Sequence, residues 1–201
     1  MKIRNLRKQS TRATMIWAAG AILAATLSGA AAAHSFSVAI IASDAESAAR
    51  LPSVVRGFLV ASAERDGHSD ETADGHIGGL DVFVTPLPSE AANAITGLIG
   101  ATPESYEVAI VLGANPAAAE DVQGVVATTI IMAPGALPSD AQRLGFEEQY
   151  QARFRAPPDL AAAQGYNAAR RIDLAVRRFG DLSETAAIRQ ALRDSAAGIE
   201  W

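Results

Sequence analysis

The chain has 201 residues, with 17 basic and 22 acidic side chains, a formal net charge of −5 at pH 7 and no cysteine. The lack of cysteine excludes disulfides, thiol catalysis, cysteine-ligated metals and a lipid anchor on an N-terminal cysteine. The acidic balance argues against nucleic acid or anionic lipid as a partner.

Residues 1–33 are predicted to be a secretory signal peptide. Five basic residues precede an apolar run over about residues 15–27, and small residues at Ala31 and Ala33 follow it. A membrane anchor is the alternative, but a bilayer span needs about 20 apolar residues and this run is shorter. Cleavage after Ala33 removes five basic residues and no acidic one, so the mature chain has a net charge of −10. We predict that this mature chain is periplasmic and not inserted in a membrane.

The mature chain, residues 34–201, alternates short apolar runs with helical patterns. The predicted strands are residues 36–41, 80–85, 106–112 and 125–132. The predicted helices among them are residues 51–64 and 89–99, with a short helical turn at 117–121. Continuous apolar strands that alternate with helices are typical of a parallel sheet covered on both faces. The fold class is therefore predicted to be α/β, a single-domain three-layer α/β/α sandwich with a mostly parallel sheet of about four or five strands.

Two helices and a Pro-Pro turn are predicted over residues 145–180. Phe146, Tyr150 and Phe154 recur every four residues, which places them on one helical face. Pro157 and Pro158 stop this helix, and Asp159 is placed to cap the next one. In that second helix the apolar residues line one face, and the four arginines at positions 170, 171, 177 and 178 mostly fall elsewhere on the helical wheel. A third helix is predicted within residues 183–195.

This C-terminal segment resembles the closing segment of the branched-chain amino-acid-binding (Leu/Ile/Val-binding) family, the type I periplasmic solute-binding proteins of ABC importers. The resemblance rests on Phe-x-x-x-Tyr-x-x-x-Phe, a proline, and a helix that opens Ala-x-Gly-Tyr-Asn-Ala-Ala. It is good over residues 125–195 and looser over residues 36–115. Family members have two lobes that close on a solute, whereas about a dozen residues here separate the third strand from the fourth. The resemblance therefore implies that the first lobe is whole and the second is missing.

The resemblance also implies a ligand site in the loops that follow the first and third strands. The matching loops offer Ser43, Ser47 and Asn115 as ligand-binding residues. Their partner would be a small polar solute such as an amino acid, and the membrane subunits of an ABC transporter would be protein partners. The alternative interpretation is that these residues are ordinary helix caps and turn residues.

The polar loop from Asp70 to Asp81 resembles an EF-type calcium loop in part. It has acidic residues at positions one, five and twelve and a glycine at position six. His68 and His76 offer nitrogen ligands for a transition metal instead, and a solvated acidic loop is the simplest interpretation. The sequence leaves these alternatives open and implies no cofactor.

No catalytic motif is present in the chain: there is no Gly-x-Ser-x-Gly, glycine-rich phosphate loop or His-Glu-x-x-His. We therefore predict that the protein is not an enzyme but a periplasmic substrate-binding-protein-like component of an ABC transporter. The alternative is a one-lobe derivative that acts as a metal-binding or protein-interaction module without binding solute. An enzyme of flavodoxin-like architecture is the third hypothesis.

Overall fold

The structure, a computed structural model, describes residues 35–64, 66, 72–88, 106–113 and 129–201. All of them belong to one unit, His34–Trp201. The predicted signal peptide lies outside these residues. Within the described ranges, no helix has both the length and the apolar composition needed to cross a bilayer.

Five strands form one sheet in the order β2-β3-β1-β4-β5. Their bounds are Ser35–Ala42 for β1, His76–Ile77 for β2, Leu80–Leu87 for β3, Val108–Leu112 for β4 and Ile130–Met132 for β5. The β1–β3, β1–β4 and β4–β5 pairs are parallel, and only β2 runs antiparallel to its neighbour. The predicted α/β class and mostly parallel sheet are therefore confirmed.

Four helices are described: α1 (Ala45–Ala63), α2 (Asp140–Phe154), α3 (Leu160–Arg177) and α4 (Thr185–Asp194). A short 3-10 turn, Ser195–Ala197, follows α4. As predicted, Asp159 caps α3, since its carboxylate accepts a hydrogen bond from the Ala162 N–H at 2.8 Å. The helices predicted at residues 89–99 and 117–121 lie outside the described residues.

Several elements differ from the prediction, and α2 starts at Asp140, five residues earlier than expected. Helix α1 starts six residues earlier than expected, because Asp44 and Ser47 form a capping box in which each side chain accepts from the other's backbone N–H. The two-residue strand β2 was not predicted, and it joins β3 through Gly78 and Gly79, both at positive φ. The strand predicted over residues 80–85 continues through Pro86 to Leu87.

The main core lies on one face of the sheet. Phe36, Val38 and Ile40 alternate along β1 and belong to the same buried cluster as Phe58 of α1 and Ile172 of α3. The residues between them, Ala39 and Ile41, belong to a second, smaller buried cluster together with Ala109 of β4. The predicted helices at residues 89–99 and 117–121 lie outside the described residues, so the three-layer arrangement remains a prediction.

Helices α1 and α3 cross at two glycines. A Cβ atom at Gly57 would lie 1.8 Å from the carbonyl oxygen of Ala162, and a Cβ atom at Gly165 would lie 1.9 Å from that of Val54. Each helix thus places a glycine against the backbone of the other. Gly57 follows Val54 in α1, whereas its partner Ala162 precedes Gly165 in α3, so the two helices run antiparallel. This contact sets how closely α3 packs against α1. It therefore helps to position Arg171, which lies further along α3.

Candidate functional site

A cavity of about 530 Å³ opens where β4 and β5 end. It lies at the carboxyl edge of the parallel strands, beside the place where the strand order reverses: β3 is on one side of β1 and β4 on the other. Ligands of open α/β sheets bind at such a position, and the volume is in the range of small-molecule sites. The sheet contributes Val111, Leu112 and Gly113 from the end of β4, and Ile131 and Met132 from β5.

Helices supply the charged wall of the cavity. Arg50 comes from α1, Arg171 from α3, and Arg189 and Arg193 from α4. No acidic side chain occurs among the described residues that line the cavity. Four of the twelve arginines of the predicted mature chain therefore meet in one place, in a chain whose overall charge is negative.

Arg171 is the buried member of this group, with 2% of its surface exposed. Its Nε donates to Ser195 Oγ at 3.1 Å, Nη1 donates to the Ala133 carbonyl at 2.6 Å, and Nη2 donates to the Leu192 carbonyl. All these acceptors are neutral, and no carboxylate of the described residues pairs with Arg171. Burial lowers the pKa of the guanidinium to about 10.

The hydrogen bonds of Arg171 leave capacity for a ligand. A guanidinium carries five N–H groups, and three of them donate to these acceptors. One N–H on Nη1 and one on Nη2 have no partner among the described residues. The group therefore brings a buried positive charge and two further donors to the wall of the cavity.

Arg189 and Arg193 lie one helical turn apart on α4. Arg189 donates to the Thr129 carbonyl at 3.2 Å, and Arg193 donates to Gln190 Oε1 at 2.6 Å. Burial, followed by the charge of Arg193, lowers the pKa of Arg189. The two guanidinium groups therefore interact as like charges.

Arg50 reaches the cavity from α1 and is partly accessible to solvent. Its side chain is 41% exposed and lies 3.6 Å from Glu46 Oε1, one turn earlier on α1. An exposed ion pair of this kind contributes roughly 0.5 kcal/mol or less, so Arg50 can exchange Glu46 for another anion at little cost.

The loop from Ala133 to Ala136 is fixed by Asn167. This fully buried amide donates to the Pro134 carbonyl at 2.7 Å and the Ala136 carbonyl at 3.1 Å, and its Oδ1 accepts from Trp201 Nε1 at 2.9 Å. Gly135 has φ +82°, and a Cβ there would lie 2.5 Å from Arg171 Nη1. Glycine is therefore required at this point for both the backbone conformation and the space that Arg171 occupies.

Of the residues predicted as ligand-binding, Ser43 and Ser47 lie beside the cavity rather than among the residues that line it. Ser43 Oγ donates to the Leu112 carbonyl at 2.6 Å, and Ser47 is buried within the capping box of α1. Gly113, which lines the cavity, is the residue next to both hydroxyls. The cap interpretation accounts for the described hydrogen bonds of Ser47, whereas Ser43 links the end of β1 to the end of β4. Asn115 lies outside the described residues. Their role in binding remains a prediction.

The loop that resembles a calcium loop in part is described only from Thr72 onward, so Asp70 and His68 lie outside the described residues. Asp74 accepts from the Val84 N–H at 2.8 Å, and Asp81 pairs with His76 Nε2 at 2.7 Å. Across the described ranges, no group of three His, Cys, Asp or Glu side chains could hold a metal ion. The carboxylates that are described support the β2–β3 hairpin, and the question of a metal stays open.

The arginine cluster was missed at the level of sequence. The helical wheel placed the arginines of α3 mostly away from its apolar face and did not indicate that Arg171 is buried. One local signal was available: Arg171 follows the buried Asn167 by four residues, and Arg189 and Arg193 have the same spacing. Each pair therefore shares one helical face.

Comparison of the chain with protein-family models, with curated proteins and with solved structures found no match. The resemblance to the branched-chain amino-acid-binding family therefore remains a hypothesis.

Proposed function

We propose that residues 34–201 form a solute-binding domain of the type used by ABC importers, which is exported to the periplasm and holds a small acidic solute in the arginine cavity. The observation that carries this proposal is Arg171: a buried guanidinium with neutral partners and two spare N–H groups, at the carboxyl edge of the sheet. The cavity provides a charge, donors and a suitable volume together.

Electrostatics explain why an acid would bind there. A buried ion costs several kcal/mol relative to water, and carbonyl oxygens offset only part of that cost. A carboxylate about 4 Å from a guanidinium gains roughly 4 kcal/mol at an effective dielectric constant near 20, several times the gain in bulk water. An arginine fork also matches the two oxygens of a carboxylate geometrically. A solute acid group therefore supplies the counter-charge for Arg171.

The composition of the cavity wall supports a binding role. The described lining consists of guanidinium groups, the amide of Gln164, backbone groups and apolar side chains such as Val54 and Leu192. These groups donate hydrogen bonds, attract anions and exclude water. In this account the protein is not an enzyme, and the membrane subunits of a transporter are its protein partners.

The cavity also suggests how a single lobe could hold a solute. Its described walls come from two strand ends and from α1, α3 and α4 of the same unit. Helix α4 and the following turn supply part of the wall within this unit. The predicted loss of the second lobe is therefore compatible with binding.

Thermal unfolding tests this function directly. The full chain would be produced in a host with a periplasm, purified without denaturation and melted at low ionic strength with small monoacids, diacids, phosphomonoesters and amino acids. At a concentration about 100 times its Kd, a bound solute stabilises the fold by about 2.7 kcal/mol, which raises Tm by roughly 5 to 10 °C for a domain of this size. Arg171→Lys should reduce that rise, because lysine keeps the charge but lacks the fork.

The control is Arg178→Lys, which makes the same change at an exposed arginine that does not line the cavity. It should keep the full rise in Tm. If Arg171→Lys does not fold, Arg189→Gln replaces it as the cavity variant. A wild-type Tm that no compound in the panel raises at millimolar concentration would overturn the proposal.

A further inference from the structure

The number and placement of the arginines indicate which kind of acid the cavity takes, provided that the proposed binding function is correct. One carboxylate has about four lone-pair positions, and one guanidinium fork fills two of them. A single carboxylate is therefore saturated by two arginines, whereas four arginines line this cavity. The other two arginines can bind a second negative charge on the solute.

The arginines also divide into two groups by origin. Arg171, Arg189 and Arg193 come from α3 and α4, while Arg50 comes from α1. Hydrogen bonds link α3 to α4 within the first group: Arg171 donates to the Leu192 carbonyl and to Ser195 at the end of α4. Among the described residues, Arg50 pairs with Glu46 at 3.6 Å, and an incoming anion can replace this exposed pair.

We propose that the solute is a small dianion without an ammonium group: one negative charge binds at Arg171 and the α4 arginines, and the other binds at Arg50. Arg189 and Arg193 lie one helical turn apart on α4 and both line the cavity, so both attract an anion that binds there. The same two charges would repel an ammonium group, which disfavours a zwitterionic amino acid.

Isothermal titration calorimetry with matched solutes tests the proposal on the full chain. Glutarate is compared with valerate, which lacks the second carboxylate, and with L-glutamate, which adds an ammonium group. L-leucine represents the solute that the family resemblance implies. We expect glutarate to bind at least about ten-fold more tightly than any of the three, and its affinity to fall as salt is added. Glycerol phosphate is the second dianion, and tighter binding of it than of glutarate would place both charges on one phosphate group.

A pair of variants on α1 tests the role of Arg50. Arg50→Gln should weaken glutarate binding by about ten-fold and leave valerate binding within about two-fold, because only the diacid uses the second charge. Arg56→Gln removes an exposed arginine from the same helix that does not line the cavity, and it should change neither affinity.

The outcomes separate this inference from the function on which it rests. Valerate, L-glutamate or L-leucine binding within about three-fold of both dianions would overturn the dianion proposal and leave a binding protein in place. An unchanged preference for glutarate in Arg50→Gln would overturn the placement of the second charge. If no solute binds, the proposed function fails together with the inference.

Discussion

Gly165→Ala is expected to destabilise the domain by about 3 kcal/mol or more, although alanine favours a helix over glycine by about 1 kcal/mol. The added methyl group would lie 1.9 Å from the carbonyl oxygen of Val54, and a backbone atom cannot move away without separating the two helices. Gly57→Ala should have a similar effect, because its methyl group would lie 1.8 Å from the Ala162 carbonyl oxygen. Denaturant unfolding measures both losses.

The matched control is Gly145→Ala in the exposed part of α2, where an added Cβ has nothing within 4 Å. This substitution should stabilise the protein by roughly 0.5 to 1 kcal/mol through helix propensity alone. The double variant at Gly57 and Gly165 should lose less than the sum of the single losses, since one separation of the helices makes room for both methyl groups. Losses below about 0.5 kcal/mol at both glycines would show that α1 and α3 do not approach as closely as described.

Asn167→Asp is expected to cost about 3 kcal/mol or more at neutral pH, although the two side chains have almost the same shape. The carboxylate cannot donate to the Pro134 and Ala136 carbonyls, and it would place an unpaired charge at a fully buried position. Burial raises the pKa of the introduced carboxyl group above its ordinary value. The loss should therefore be smallest in acid and should grow as the pH rises through that raised pKa, as unfolding at several pH values would reveal.

Gln149→Glu makes the same amide-to-carboxylate change at an exposed position on α2. Its effect should stay within about 0.5 kcal/mol. Because Asn167 fixes the loop that carries Ala133, the Asn167→Asp variant should also weaken solute binding. A variant as stable as the wild type would show that the carbonyls of this loop do not depend on Asn167.

Local sequence patterns predicted the elements that local interactions determine. The apolar runs located β1, β3 and β4, and the aromatic spacing and Asp159 located α2 and α3. Predictions were wrong where a single contact overrides the pattern. A capping box at Asp44 extends α1 backward beyond its apolar stretch, and two glycines create a strand of two residues that no periodicity could reveal.

The arginine cavity could not be predicted in the same way, because its members become neighbours only in the folded chain. The acceptors of Arg171 are 38 and 21 residues away in sequence, at Ala133 and Leu192. A helical wheel treats Arg171 only as a charged residue and does not indicate its burial. Hydrogen bonds to those carbonyls allow the side chain to be buried. Conversely, Ser43 follows the end of β1 and Ser47 lies in the first turn of α1, positions that suggest a ligand site. Their hydroxyls are nevertheless engaged by backbone and side-chain groups.

The most direct test of the central claim is an NMR titration of the arginine side chains with glutarate. The Arg171 Nε–H resonance can be assigned by its loss in Arg171→Lys, and its hydrogen bond to Ser195 should keep it observable in the free protein. We predict that the side-chain N–H resonances of Arg171 shift and reach saturation, while those of the exposed Arg178 stay in place. If the Arg171 resonances do not move at millimolar glutarate or glycerol phosphate, the cavity does not bind an acid and the account is contradicted.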